Sequence, residues 1–201
     1  MTDPTRWTTE TDDGHSEWYA EHFRTLRADG ADLDGEARFV DALLPRGAHV
    51  LDAGCGQGRT GAALLARGHD VVGVDADPVL IAAARVDNPG PRWIEADLAA
   101  LDLEAEGITR PFDAAILAGN VMSFVAPGTE ARVLRRIADH LTPEGLIVTG
   151  FHLEMCDRDT FDAAVGTAGL RIRNRFATWD LKPWPADSAD FCVTVLEHAD
   201  H

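Results

Sequence analysis

"VLDAGCGQGRTG", Val50 to Gly61, is the stretch whose reading decides the fold. A short apolar run carrying one acid, Asp52, leads into a cluster of glycines and then into a helix-forming segment. Gly56, Gly58 and Gly61 spell G-x-G-x-x-G, the spacing of a strand–turn–helix that receives a nucleotide. Glycine lets the backbone approach a ligand closely and bares the first amides of the following helix. Taken alone, the letters predict NAD and hydride transfer. A P-loop is excluded, because no Lys-Ser or Lys-Thr follows the glycines.

Outward from this turn the chain alternates. "HVLDAG", "DVVGVD", "RWIEAD", "FDAAILAG" and "GLIVTGF" read as strands. "RTGAALLARG", "PVLIAAARV", Thr129–Leu141 and Asp159–Ala168 read as helices, with "LAALDLEAEG" a polar connection. Strands that alternate with helices imply right-handed crossovers and a mostly parallel sheet covered on both faces. The nearly continuous apolar strands agree, since a strand buried on both faces does not alternate. The last two runs, "LRIRNRFATWD" and "DFCVTVLEH", are separated by too few residues for a crossover helix and are expected as an antiparallel hairpin. The expected class is therefore α/β, doubly wound and Rossmann-like.

Residues 1–14 are polar and acidic and are expected as a flexible tail. Residues 15–45 carry two helices. The first has a stripe of Trp18, Tyr19, His22, Phe23 and Leu26, and the second turns Ala37, Val40, Leu43 and Leu44 inward. Residues 46–201 form the sheet domain.

The 201 residues suffice for one domain, and 45% apolar with 26% charged residues is a globular composition. Eighteen Lys and Arg against 34 Asp and Glu give a net charge of −16, which disfavours nucleic acid and anionic membranes as partners. No apolar run approaches the ~20 residues of a membrane helix. Cys55, Cys156 and Cys192 lie far apart with no C-x-x-C pair, so no metal is expected and the thiols read as reduced. The start of the chain does not resemble a signal peptide. A cytoplasmic protein, monomeric or homodimeric, is the expectation.

In a doubly wound sheet, ligands bind at the carboxyl ends of the strands. Those ends carry Asp52, Asp75, Asp97 and the pair Gly119–Asn120. Asp75 stands 19 residues beyond Gly56, where a carboxylate accepts both hydroxyls of a ribose. Each acid alone reads as a solvated loop residue or a helix cap. Three at the ends of consecutive strands point to a ligand. NAD would bring a doubly negative pyrophosphate to this acidic rim, at a cost on the order of 1 kcal/mol per like charge. S-adenosylmethionine (SAM) brings a sulfonium and an ammonium against one carboxylate. Arg59 is ambiguous, since it suits a phosphate or a methionyl carboxylate and can also point away.

"VLDAGCGQGRTG" resembles the first motif of class I SAM-dependent methyltransferases, and the resemblance continues through "VVGVDADPVLIAAA", "WIEADLAAL", "FDAAILAGNVMSFV" and "IADHLTPEGLIVTGF". It implies seven strands in the order 3-2-1-4-5-7-6 and SAM as cofactor, with S-adenosylhomocysteine (SAH) as product. It further implies that Asp52, Ala53, Gly54 and Gly56 hold the methionyl part, and that Asp75 binds the ribose beside Ala76. Asp97 and Leu98 would bind the adenine, and Gly119 and Asn120 would line the cleft near the sulfonium. In similar enzymes an N-terminal helix lies over the cleft as a lid, which would bring Tyr19 to the cofactor; plain helix packing is the other reading.

Methyl transfer needs alignment and exclusion of water, and a base only sometimes. His152 and His22 are candidate bases; His152 also reads as an ordinary loop histidine and His22 as plain helix packing. Asn120 opens "NVMS" rather than an N-P-P-Y-type motif, so a small-molecule acceptor is expected. The hairpin loop "WDLKPWPADSADF", with Trp179, Pro183 and Trp184, reads either as one wall of its pocket or as ordinary loop packing. The alternatives are an NAD(P)-dependent oxidoreductase and a non-catalytic SAM-binding module.

Overall fold

The computed structural model describes residues 3–184 and 189–199. Three helices come first: α1 (Arg6–Glu10), α2 (His15–Ala28) and α3 (Gly35–Leu43). Alternation follows with β1 (His49–Ala53), α4 (Arg59–Ala66), β2 (Asp70–Asp75), α5 (Pro78–Asp87) and β3 (Arg92–Glu95). A 3-10 turn, Leu98–Ala100, leads to β4 (Phe112–Leu117), α6 (Val121–Phe124) and α7 (Glu130–Ala138). β5 (Leu141–His152), α8 (Arg158–Thr167), β6 (Leu170–Phe176) and β7 (Phe191–His198) complete the chain.

The strands form one sheet in the order β3-β2-β1-β4-β5-β7-β6. β1 pairs in parallel with β2 and β4, while β7 runs antiparallel between β5 and β6. This is the expected seven-stranded arrangement with its terminal hairpin. Neighbouring residues of each strand feed opposite cores. Leu51, Ala53, Ala115, Leu117 and Ile147 pack with Leu134 and Ile137 of α7 and Phe161 of α8. Val50, Val71, Ile116 and Val148 pack with Phe39 and Val40 of α3 and Leu64 of α4. Burial on both faces is what the unbroken apolar strands encode. Asp52, paired with Gly73 and Ile116, falls in the second row and is 2% exposed.

Local chemistry sets several helix ends. Asp77 caps α5, its Oδ1 accepting from the amides of Val79 and Leu80 ahead of Pro78 in the first turn. Asp157 caps α8 in the same way through the Thr160 amide.

Some segments differ from expectation. Residues 3–14 carry α1, anchored by Arg6, whose guanidinium donates to the Ser123 carbonyl (3.2 Å), and by Trp7. α7 stops at Ala138 instead of Leu141, because Leu141 pairs with Phe112 and begins β5 ahead of a register shift. In α3, Phe39 is 4% exposed and faces the core, whereas Leu43 is 39% exposed. The connection after β3 is not wholly polar: Leu98, Leu101 and Leu103 are buried in the α7 and α8 core, in place of a crossover helix.

Candidate functional site

The glycine turn is shaped by its packing. As the chain leaves β1, the amides of Gly54 and Cys55 both donate to the Val74 carbonyl at the end of β2 (2.7 and 2.9 Å). Gly54 adopts φ +78°, and a Cβ there would meet Val121 of α6 at 2.5 Å. Trp93 of β3 lies beneath the turn, its indole nitrogen donating to the Asn88 carbonyl (2.9 Å). A Cβ on Gly58, Gly61 or Gly73 would come within 2.7, 2.9 or 2.2 Å of that ring. Two of the three glycines in G-x-G-x-x-G are thus required by a tryptophan, whatever the ligand.

The three acids converge at the strand ends. Asp52 Oδ2 accepts from the Gly61 amide in α4 (2.8 Å). Asp75 Oδ2 accepts from the Gly56 amide (2.8 Å) and its Oδ1 from the Asp77 amide (2.9 Å), so this carboxylate braces the turn. Asp97 Oδ1 caps the 3-10 turn through the Ala99 amide (2.9 Å). Loss of water around them pushes the Asp52 carboxyl up to about 7 and the Asp75 carboxyl up to about 6, against the opposing pull of their amide hydrogen bonds.

Above the acids lies a cavity of about 920 Å³, counted to its open mouth. Asp52, Gly54, Gly56 and Asp75 line it, and so do Ala76, Asp97, Leu98, Gly119 and Tyr19. Ala53 does not; its side chain is fully buried in the core. Gln57 also lines the cavity, and its buried Oε1 has no hydrogen-bond partner among the described residues. An acceptor left unpaired at a cavity wall is costly unless a ligand donor meets it. Paired carboxylates, a bare acceptor and a glycine floor suit a ribose and an ammonium, and the donor set fits SAM.

Thr5, Trp7 and Thr8 close the cavity from α1 and the residue before it, a contribution that the polar sequence of residues 1–14 conceals. Trp7 is held by its indole nitrogen, which donates to Asp77 Oδ2 (2.8 Å), an oxygen that also receives the Ser16 hydroxyl. Its ring meets Tyr19 and Phe124 edge-on at 5.4 and 5.2 Å. The lone tryptophan in that stretch was the available signal.

A second, more open cleft, about 1620 Å³ when counted out into solvent, adjoins the first, sharing Trp7, Tyr19, Arg59, Gly119 and Phe124 with it. Asn120 and His152 line this one instead, and the Asn120 Oδ1 accepts from the His152 amide (2.8 Å), tying the end of β4 to that of β5. Trp179 lies here too, over Gly150 of β5. Trp184 packs elsewhere, beside Arg175, Pro183 bridges to Phe176, and residues 185–188 of that loop fall outside the described residues. His22 lines neither cavity; it stacks at 5.2 Å on Trp18, which is 57% exposed. Arg59 lines both cavities and is engaged by a carboxylate of this chain. Its two terminal nitrogens donate to Glu36 (2.8 and 2.7 Å) and one also to the Leu33 carbonyl (2.6 Å).

The model of the family described as "Methyltransferase domain" matches residues 50–145. A TehB-like SAM-dependent methyltransferase from Corynebacterium glutamicum shares 41% identity over 93% of this chain and 100% of its own, with a TM-score of 0.85. At 17% identity, the CcbJ methyltransferase of Streptomyces caelestis has a TM-score of 0.72, covering 85% of this chain and 92% of its own. SAM-bound CalS10, an amino pentose methyltransferase of Micromonospora echinaspora, gives 0.67 at 19% identity, over 87% and 95%. No curated protein matches the chain.

Proposed function

The chain belongs to the SAM-dependent methyltransferases, and on that premise we propose that it carries the SAM methyl group to a small-molecule acceptor in the second cavity. One observation carries the reading: the two cavities share a wall at Tyr19 and Gly119, where a methyl donor in one would face a nucleophile in the other. The nicotinamide and non-catalytic alternatives find no support among these relatives. A cytoplasmic setting fits three free cysteines, and among the described residues no helix is long and apolar enough to cross a membrane.

SAM supplies a methyl carbon already activated by a positive sulfonium leaving group. The residues of this chain bind and align. Asp75 accepts the ribose hydroxyls on lone pairs left over from Gly56 and Asp77, while Asp97 and the Leu98 amide receive the adenine. Asp52 and Gln57 serve the methionyl end, where a positive charge meets a carboxylate and a bare carbonyl. Gly119, beside the Tyr19 hydroxyl at the reacting centre, holds a left-handed turn at φ +77° that favours glycine. Trp7 and Tyr19 cover the site and exclude water.

The test is ligand-induced stabilisation. SAH and SAM raise Tm, NADH does not, and Asp75→Ala weakens SAM by ~1–3 kcal/mol through lost ribose hydrogen bonds. Stabilisation by NADH alone, or unchanged SAM affinity in the variant, refutes the assignment.

A further inference from the structure

We propose that the acceptor is an amine, received as its ammonium ion at the aromatic mouth of the second cavity and methylated on nitrogen after yielding a proton to His152. The proposal rests on the methyltransferase reading above and adds the chemical class of its substrate.

The described lining of the second cavity is aromatic, and its basic groups are Arg38, Arg59, His15 and His152, with Arg59 lying over the Phe23 ring at 5.1 Å. Trp18, Phe23, Trp179 and Phe191 line it together with the shared Trp7 and Tyr19. Five charged side chains also line it: Asp32, Glu36 and Asp180 against Arg38 and Arg59. Both guanidiniums are already engaged two-pronged by carboxylates. Arg38 donates to the two oxygens of Asp32 (2.7 and 2.8 Å), and Arg59 to those of Glu36. The Arg59–Glu36 pair is largely enclosed, so prising it open for another anion would strand a buried carboxylate. Three carboxylates against two guanidiniums leave the cavity one negative charge in excess, with the Asp180 carboxylate at its exposed rim.

These walls discriminate by sign. Among the described residues, a carboxylate or phosphate acceptor would have to displace Asp32 from the exposed Arg38 or Glu36 from the enclosed Arg59, and would meet one surplus carboxylate. A neutral apolar acceptor would fill the space but leave that charge unanswered. An ammonium ion answers it, and the π-faces of tryptophan, tyrosine and phenylalanine attract cations electrostatically.

An alkylammonium cannot react as it arrives. Like a lysine side chain it keeps its proton to roughly pH 10, and without a lone pair nitrogen is no nucleophile. His152 is placed to take the proton. It ends β5, its amide is fixed by Asn120, and its ring rests edge-on against Phe191 at 4.8 Å, in the cavity that also contains Gly119. In the balanced step, His152 accepts one ammonium proton and the freed nitrogen pair forms the N–C bond. The methyl–sulfur bond breaks with its electrons going to sulfur. SAH and a secondary ammonium leave, and His152 returns its proton to solvent.

The probes are 2-phenylethylamine, 2-phenylethanol and 3-phenylpropanoate, alike in shape and unlike in charge, with 4-ethylaniline as an amine that is neutral near pH 7. Binding is read first, as quenching of tryptophan fluorescence in the SAH-bound protein, and SAH formation from SAM second. The expected result is quenching by the amine and not by the propanoate, and a kcat/KM for the amine at least tenfold above that of the alcohol. Asp180→Asn should raise KM for the amine severalfold with little change in kcat. His152→Asn should cost at least tenfold more in kcat on 2-phenylethylamine than on 4-ethylaniline, a split that a merely structural role would not produce. Equal or faster methylation of the alcohol or propanoate overturns the proposal. So does a protein that SAH stabilises but that neither binds nor methylates the amine. Failure of SAH to stabilise the protein overturns the methyltransferase reading and this inference together.

Discussion

The binding of SAM should depend steeply on pH below neutrality, and Asp52 is the reason. Its carboxyl is buried in the sheet, is held by one amide, and in the free protein is pushed up to about 7 by the loss of water. A cofactor carrying a sulfonium and an ammonium favours the ionised form. The sign follows from proton counting: the free site holds a proton that the complex must release, so affinity falls as pH drops through 7. At pH 5.5 the free site lies ~1.5 units below that value, which costs about 2 kcal/mol and raises Kd about 30-fold relative to pH 8. Asp75, pushed up to about 6 and more open to solvent, adds a smaller increment in the same direction. The stability of the free protein should follow the opposite trend: the raised Asp52 value is stabilising at low pH, and that contribution is lost as pH rises from about 4 through 7.

Isothermal titration calorimetry between pH 5.5 and 8 in buffers of different ionisation enthalpy measures both the affinity and the protons released. Asp52→Asn removes the titrating group while keeping an oxygen for the Gly61 amide. Its SAM affinity should be lower at pH 8 and should lose most of its slope with pH, keeping only the smaller increment due to Asp75. A flat profile in the unaltered protein, or the same slope in Asp52→Asn, would show that Asp52 does not sense the cofactor charge.

Two further outcomes test the packing and the cover. Gly61→Ala should lower Tm although alanine is the better helix former, because the new Cβ would lie 2.9 Å from both Asp52 Oδ2 and the Trp93 ring. Overpacking at ~1–3 kcal/mol exceeds the ~0.5–1 kcal/mol gained in helix propensity. Gly166→Ala in α8, where a Cβ meets nothing within 4 Å, should instead raise Tm by a few degrees. If both variants move in the same direction in differential scanning calorimetry, the Trp93 account is refuted. Trp7→Phe keeps a ring beside Tyr19 and Phe124 but loses the bond to Asp77, so SAH should dissociate about fivefold faster by stopped-flow fluorescence. An unchanged rate would mean that α1 does not cover the bound cofactor.

The alternation of apolar runs and helices was readable because each strand is buried on both faces and each crossover is short. What escaped the reading depends on distant partners. α1 has five residues, two of them threonine, and no intrinsic propensity would hold it; its stability comes from Trp7 and Arg6 reaching Asp77 and Ser123, far along the chain. The end of α7 was missed for a similar reason, since Leu141 joins β5 by pairing with Phe112 and local periodicity does not register that competition. Asn120 was expected to line the cleft near the sulfonium; its side-chain oxygen accepts from the His152 amide, and it lines the second cavity beside Gly119, which lines both.

The glycine pattern itself turns out to report less about the cofactor than its letters suggest. Gly58 and Gly61 are small because Trp93 and Asp52 occupy the space where their side chains would be. A turn built over a different β3 residue could dispense with Gly61 and still receive a nucleotide, whereas Gly58, at φ +83°, is also held to glycine by its left-handed backbone. The acids are not replaceable in that sense. Asp75 fixes the Gly56 and Asp77 amides and lines the cavity, and Asp52 holds α4 through the Gly61 amide and lines the same space. Each acid therefore does the capping work that a lone aspartate suggests and lines the cavity as well. That is why reading them one at a time favoured a bland role, and why their convergence at three consecutive strand ends favoured a cation.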